Sequence, residues 1–211
     1  MVATTHIEEL KEYLSSLPLD IRSYDDGYEY KNPVLTLVDA VLSINRNYNN
    51  FVKPRLEIIK KSGIRSFTDL ERELDKGDEY FMSFWNYRHP QRVVLLRNLL
   101  TYFRDFQQTN NIQGDVETLR EWGNQSSVEK YKDWKIKGIA FTTYQYLRML
   151  CGADTVKPDI HILRVVEEGI GRKVNPMNSV ILIEHISKEM GIEARSLDHA
   201  IWQYSSSKRS K

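Results

Sequence analysis

Three groups of residues in this chain have the types and spacing that do chemistry. The first is Pro158-Asp159-Ile160-His161, where a carboxylate stands just ahead of an apolar stretch. An aspartate in that position caps a helix, its side chain accepting from the first free backbone N–H groups. Where the same helix start borders a cleft, the carboxylate also serves as a general base or as a fixed charge facing a developing cation. The two uses are compatible. The second group is the turn Ile136-Lys137-Gly138-Ile139-Ala140. Gly138 has no Cβ and suits a sharp turn with positive φ, and small Ala140 allows another backbone to come close. A helix starting near Phe141 offers N–H groups from Gly138 to Thr143, Thr142 among them, at an N-terminus suited to phosphate. Lys130, Lys132, Lys135 and Lys137, with Arg148 on the next helix, add a local basic patch, although most charge runs are plain solvated faces. The third group, Asn45-Arg46, closes an apolar stretch and reads either as a plain helix end or as a wedge entering a base stack. Asp39, inside that stretch, is either a second pocket carboxylate or a partly exposed or paired side chain. His161 packs or hydrogen-bonds near Asp159, because the ligands that would accompany it in a zinc site are missing.

The elements that must position these residues are helical throughout, and the fold class is all-α. Apolar residues at 7, 10, 14 and 17 give a helix over Thr4 to Leu17, and the polar segment from Asp20 to Tyr30 reads as a loop. Asn32 caps a helix opened by Pro33, and this helix is apolar enough to be central. A basic amphipathic helix follows over Asn49 to Lys61. Thr68 to Leu74 is a short helix opened by the capping box Thr68-x-x-Glu71. Further helices are expected over Glu79 to Trp85, Pro90 to Gln108, Asp115 to Trp122, and Ser127 to Lys135 ahead of the turn. Beyond Asp159 come Ile160 to Ile170, Asn178 to Met190 and Leu197 to Tyr204, then a frayed tail. No run alternates in the manner of a strand.

Composition narrows the class. The chain has 211 residues, 41% hydrophobic and 28% charged, which describes an ordinary soluble globular protein with room for one core or two small subdomains. No apolar run reaches the roughly 18 residues of a membrane span, and the first residues do not read as a signal peptide. A net charge of +1 leaves any nucleic-acid face to local clustering. The single cysteine, Cys151, excludes an internal disulfide and a four-cysteine iron–sulfur cluster, and fits a reducing cytoplasm.

The turn Ile136-Lys137-Gly138-Ile139-Ala140 followed by Pro158-Asp159-Ile160-His161 resembles the helix-hairpin-helix DNA glycosylase superfamily, the endonuclease III-like enzymes. There a hairpin of the form L-P-G-V-G precedes an aspartate in a V-D-x-H-like context. NPVLTLVDAVLSINRNY resembles the family's early helix, with Asn45 where a stack-entering glutamine is common, and LDHAIWQY resembles its last helix. The resemblance spans most of the chain. Ala140 stands where the family has a second glycine, and a polar stretch from Gly123 to Lys132 precedes the turn.

The resemblance implies two helical subdomains, 33–158 and 1–32 with 159–211, around a cleft that takes a flipped base. It implies Asp159 as the catalytic carboxylate. It assigns DNA contacts to Lys137, Gly138, Ile139, Ala140, Thr142, Thr143, Asn45 and Arg46, with Arg46 or Tyr48 helping the short Asn45. Main-chain carbonyls of Trp134, Ile136 and Ile139 would hold a structural monovalent cation. Bifunctional members carry a lysine just after the hairpin, where this chain has Phe141 and Thr142, so the resemblance implies a monofunctional enzyme that uses water. A monomer on double-stranded DNA, cytoplasmic or nucleoid-associated, is expected. The alternative readings are a DNA-binding helix-hairpin-helix protein without chemistry, and a helical interaction protein with an incidental hairpin.

Overall fold

The computed structural model describes residues 4–21 and 30–207. Among these residues every regular element is helical and no strand forms. Eleven α-helices follow in order: α1 Thr4–Ser16, α2 Pro33–Leu42, α3 Lys53–Ser62, α4 Phe67–Asp75, α5 Asp78–Phe84, α6 Pro90–Thr109, α7 Asp115–Gln125, α8 Phe141–Leu150, α9 Ile160–Ile170, α10 Pro176–Met190 and α11 Ala194–Ser207. Most of the expected loop between Asp20 and Tyr30 lies outside the described residues. So does the end of the expected frayed tail, while residues 205–207 belong to α11. No described helix is long and apolar enough to cross a membrane.

α2 is the centre. The Asn32 side chain accepts from Val34 N at 2.9 Å and donates to Ile64 O at 2.8 Å, so one residue both starts the helix and ties it to the end of α3. All ten residues of α2 are buried, as a helix apolar on every face requires, and it packs on α6 and α8. Buried apolar side chains form two clusters. The larger is built on α2, α6 and α8 and contains Phe67, Phe81, Trp85 and Phe103. The smaller joins Leu10 and Leu14 of α1 to Val165, Val166, Ile183 and Ile201 of the last three helices. Val128 and Val156, numbered within the first expected subdomain, pack in this smaller cluster.

Three local expectations need correction. The helix expected over Asn49 to Lys61 opens instead with a widened π-helical turn, Tyr48–Val52, before α3. Pro54 has no N–H for the regular ladder, and the turn absorbs the mismatch. The capping box of α4 is Ser66 with Asp69, two residues earlier than Thr68 with Glu71. Phe67 must be inside the core and so belongs to the helix, while Thr68 and Glu71 both receive Arg104, at 2.6 Å and 3.1 Å. Ahead of Gly138 there is only a single 3-10 turn, Glu129–Asp133, where a helix from Ser127 to Lys135 was expected. Trp134 is extended because its ring is drawn into a cluster with Tyr102, Trp122 and Tyr144.

α7 meets the end of α8 at Gly123. A Cβ there would lie 2.5 Å from the Cys151 carbonyl oxygen and 3.0 Å from its carbon. Those atoms are backbone and cannot swing aside. Gly123→Ala therefore destabilises the fold by about 1–3 kcal/mol. A thermal melt reads this directly, and an unchanged midpoint would contradict the close approach of α7 to α8.

Candidate active site

Asp159 is the N-cap of α9, as the sequence predicts, with extended backbone. Its Oδ1 accepts from His161 N at 2.8 Å and Ile162 N at 3.2 Å. Oδ2 takes no hydrogen bond from that cap, and the side chain lines a cavity of about 210 Å³. Tyr30, Asp39, Tyr48 and Tyr146 also line it, together with Lys157 from the loop before α9 and Asp198, His199 and Trp202 from α11.

Two contacts set the position of Asp159. Thr142 Oγ1, in the first turn of α8, donates to Pro158 O at 3.2 Å. Asp198 Oδ1 accepts from Lys157 N at 2.8 Å. The loop is thus gripped from α8 and from α11 on the two residues that precede Asp159.

Burial sets the electrostatics. Asp39 is completely buried, and Tyr30 and Tyr146 donate to its Oδ2 at 2.7 Å and 3.1 Å while Ser43 donates to Oδ1 at 2.7 Å. Its carboxyl is still pushed above the usual range, because burial outweighs these hydroxyls and the charge of Lys157. With the Tyr30 proton directed to Asp39, Tyr48 is the donor of the 3.3 Å contact between the two phenols. Burial, followed by the Asp39 charge, raises both Tyr30 and Tyr146. Asp198 is pushed up to about 8 by burial and then by the charge of Asp159, against the Lys157 N–H and ammonium. Burial lowers His199. The Lys157 ammonium lies 3.7 Å from the centre of the Tyr146 ring, a cation–π contact on the cavity wall.

The turn at Gly138 has the expected positive φ, 92°. Ala140 is the N-cap of α8 and offers no side-chain hydrogen bond, so the first N–H groups of that helix keep their donors. Lys137, Gly138 and Ala140 are exposed, but Ile139 is buried. The Thr143 side chain is only 9% exposed and Thr142 Oγ1 is engaged with Pro158, while the groups expected to meet phosphate are their backbone N–H groups at the start of α8. Arg148 is 7% exposed and bonds Ser126, Gln145 and Thr155, so it does not belong to a surface basic patch. The cause is that α8 is nearly enclosed between the two clusters. The carbonyl of Ile136 accepts from Ile139 N at 3.4 Å within the turn. That bond takes one lone pair of one of the three carbonyls, Trp134, Ile136 and Ile139, expected to hold a cation. Asn45 is exposed in the left-handed region, φ 56°, at the turn beyond α2, which ends at Leu42 and is capped by Ser43. Arg46 reaches Tyr87 OH at 3.1 Å and lies over the Phe51 ring. Asp39, open from sequence between a pocket carboxylate and an exposed or paired one, is fully buried, has three hydroxyl partners and lines the cavity. His161 Nδ1 contacts Ser205 Oγ at 3.1 Å, in keeping with a packing role.

Sequence reasoning missed Lys157, Asp198 and Trp202. Asp198 and Trp202 are four apart on α11, the spacing that puts two side chains on one helix face, and this was the available signal. A protein-family model, "Domain of unknown function (DUF8548)", matches residues 94–206, just over half of the chain. Lys157, Asp159 and Asp198 fall inside the match, whereas Tyr30, Asp39 and Tyr48 precede it. No curated protein and no solved structure matches the chain.

Asp198 makes stability depend on pH in an unusual direction. Its folded value of about 8 lies above the usual 3.8, so the native state holds a proton that the unfolded chain releases. The stability from this group is intact below about pH 4 and is lost as pH rises toward 8. Asp198→Asn removes that titration while keeping an acceptor for Lys157 N. At pH 7 it stabilises the fold by on the order of 2–4 kcal/mol, and the gain shrinks toward zero near pH 4. Melts across that range check it; a gain independent of pH would contradict the buried, protonated carboxyl.

Proposed function

The chain belongs to the DUF8548 family, and we propose that it is a monofunctional DNA glycosylase acting on a damaged or mismatched base in duplex DNA. One observation carries the reading. A helix-capping aspartate lines an aromatic-walled cavity, and its loop is bonded to the helix that follows a glycine turn with uncapped N–H groups.

In this reading the cavity lies in the cleft between helical units 33–158 and 1–32 with 159–211. Lys137 and the N–H groups after Gly138 take backbone phosphates, which position the duplex without reading its sequence. Asn45, with Arg46 beside it, fills the gap left in the stack. The extruded base enters among Tyr30, Tyr48, Tyr146 and Trp202, whose rings supply stacking faces. The bond from C1′ to the base nitrogen then breaks, its electron pair leaving on the base, and positive charge develops on the sugar. The Asp159 carboxylate stabilises that charge. Water adds to C1′ and gives up a proton to Asp159, while Asp198, protonated through neutral pH, supplies the proton taken by the leaving base. Two carboxyls on one wall thus divide the charged and the acidic roles.

Among the described residues Lys157 is the one lysine on the cavity wall, and Phe141 and Thr142 supply no amine. Its ammonium rests on Tyr146, so water remains the proposed nucleophile. The test is a panel of duplexes, each with a single lesion, incubated with and without later alkali and with borohydride. The proposal expects strand breaks at one lesion only after alkali, with no covalent adduct. Duplex binding without an abasic product would leave the non-catalytic alternative. Efficient trapping that disappears in Lys157→Met would replace water by a Schiff base.

A further inference from the structure

The Asp159 cavity has the composition of a box for a cation. Tyr30, Tyr48, Tyr146 and Trp202 supply ring faces, and Asp39, Asp159 and Asp198 stand among them. Aromatic faces with carboxylates beside them attract positive charge. Here the chain supplies that charge itself. The Lys157 ammonium lies 3.7 Å from the centre of the Tyr146 ring, and that ring is held by its hydroxyl, which donates to Asp39 Oδ2 at 3.1 Å. A second cation on this wall would meet an occupied ring face and a like charge.

What stays unmet in the cavity is a donor. Lys157 Nζ has its ring contact but no hydrogen bond and no ion pair among the described residues. Lys157 is partly exposed and its nitrogen keeps open surface, unlike the sealed, unpartnered Trp134 Nε1 and Gln145 Nε2. Its charge acts on both Asp39 of α2 and Asp198 of α11, so the ammonium belongs to the cavity and not to the outer surface. The acceptors, by contrast, are largely taken. Asp39 receives three hydroxyls, Asp198 Oδ1 receives the Lys157 N–H, and Asp159 Oδ1 receives two N–H groups of α9. Burial also pushes Asp39 and Asp198 toward their neutral forms, which weakens their hold on a cation.

We infer that Lys157 selects the base taken by this cavity: a neutral ring that turns a carbonyl edge to the ammonium, as dioxopyrimidines and oxopurines do, with positively charged N-alkylated bases excluded. The inference deepens the proposed function and rests on it, since the occupant is the extruded base. It also gives Lys157 a part in the chemistry. When the bond from C1′ to the base nitrogen breaks, the electron pair is shared with the carbonyl oxygens of such a base. Negative charge therefore grows beside Lys157 Nζ, where the ammonium stabilises it. A cationic base leaves as a neutral molecule and draws no such help.

The experiment follows the Trp202 indole N–H resonance of the ¹⁵N-labelled full chain, assigned by Trp202→Phe, with free rings in place of DNA. The neutral probe is 1-methyluracil and the cationic one 1-methylpyridinium. In the wild type 1-methyluracil should move Trp202 saturably at millimolar concentration, while 1-methylpyridinium leaves it in place. Lys157→Met keeps the length of the stem, frees the Tyr146 face and removes the donor. It should weaken 1-methyluracil by about tenfold and let 1-methylpyridinium bind. Lys157→Gln removes the charge and keeps a donor, so 1-methylpyridinium binds here too while 1-methyluracil loses less than in Lys157→Met. The inference is overturned if the wild type binds 1-methylpyridinium as tightly as 1-methyluracil, if both variants leave the two affinities unchanged, or if neither ring moves Trp202. The lesion panel tells the two claims apart. Excision confined to N-alkylated cationic bases would overturn the selection and leave base excision standing. The exchange of probe preference without any abasic product would uphold the selection and overturn excision.

Discussion

The placement of Asp159, at once the cap of α9 and part of the cavity wall, is the constraint around which the rest of the molecule is arranged. Oδ1 is held by two N–H groups of α9, and the same side chain lines the cavity. A carboxylate that only capped a helix would work equally well on any face. Here the loop before it is gripped twice, by Thr142 from α8 and by Asp198 from α11, so the cap can sit at one place only. Arg148 and Thr155 strengthen the same arrangement. Arg148 bonds Gln145 and Thr155, and Thr155 bonds Glu184 at 2.6 Å, linking α8 through the loop to α10. The bonds of Arg148 are buried, where losing one is costly, and Gln145 Nε2 stays there without a hydrogen-bond partner among the described residues.

That placement carries an electrostatic cost. Among the described residues Asp39, Asp159 and Asp198 share one small cavity with a single lysine. Burial pushes both Asp39 and Asp198 toward their neutral forms, and the charge on Asp159 adds to the shift on Asp198. A fold selected for stability alone would place apolar side chains here. Perturbed carboxyls gathered in a cavity are the arrangement expected of a site that moves protons, and the proposed function rests on that physical argument together with the geometry.

Much of the helical scaffold is legible in the sequence because its signals are local. Asn32-Pro33 starts α2, Asp159 starts α9, and Gly138 turns with positive φ, each for reasons contained in a few neighbouring residues. Errors arise where a distant element decides. Ser66 and Thr68 both begin plausible capping boxes, and the burial of Phe67 selects the first. Arg148 looks like part of a surface basic patch until the enclosure of α8 is known. The cavity is the extreme case: Tyr30, Tyr48, Lys157 and Trp202 come from four separate parts of the chain, and only folding brings them to Asp159.

The central claim is that Asp159 acts by charge and does more than cap α9. Single-turnover excision by Asp159→Asn, on the lesion that the wild type processes, separates the two roles. Asparagine keeps the size and the capping oxygen, so folding should change by at most about 1 kcal/mol. Loss of a preorganised charge from the transition state should slow excision by roughly a hundred- to a thousandfold, with duplex affinity retained. A variant that melts like the wild type and excises at nearly its rate would show that Asp159 is a helix cap and nothing else.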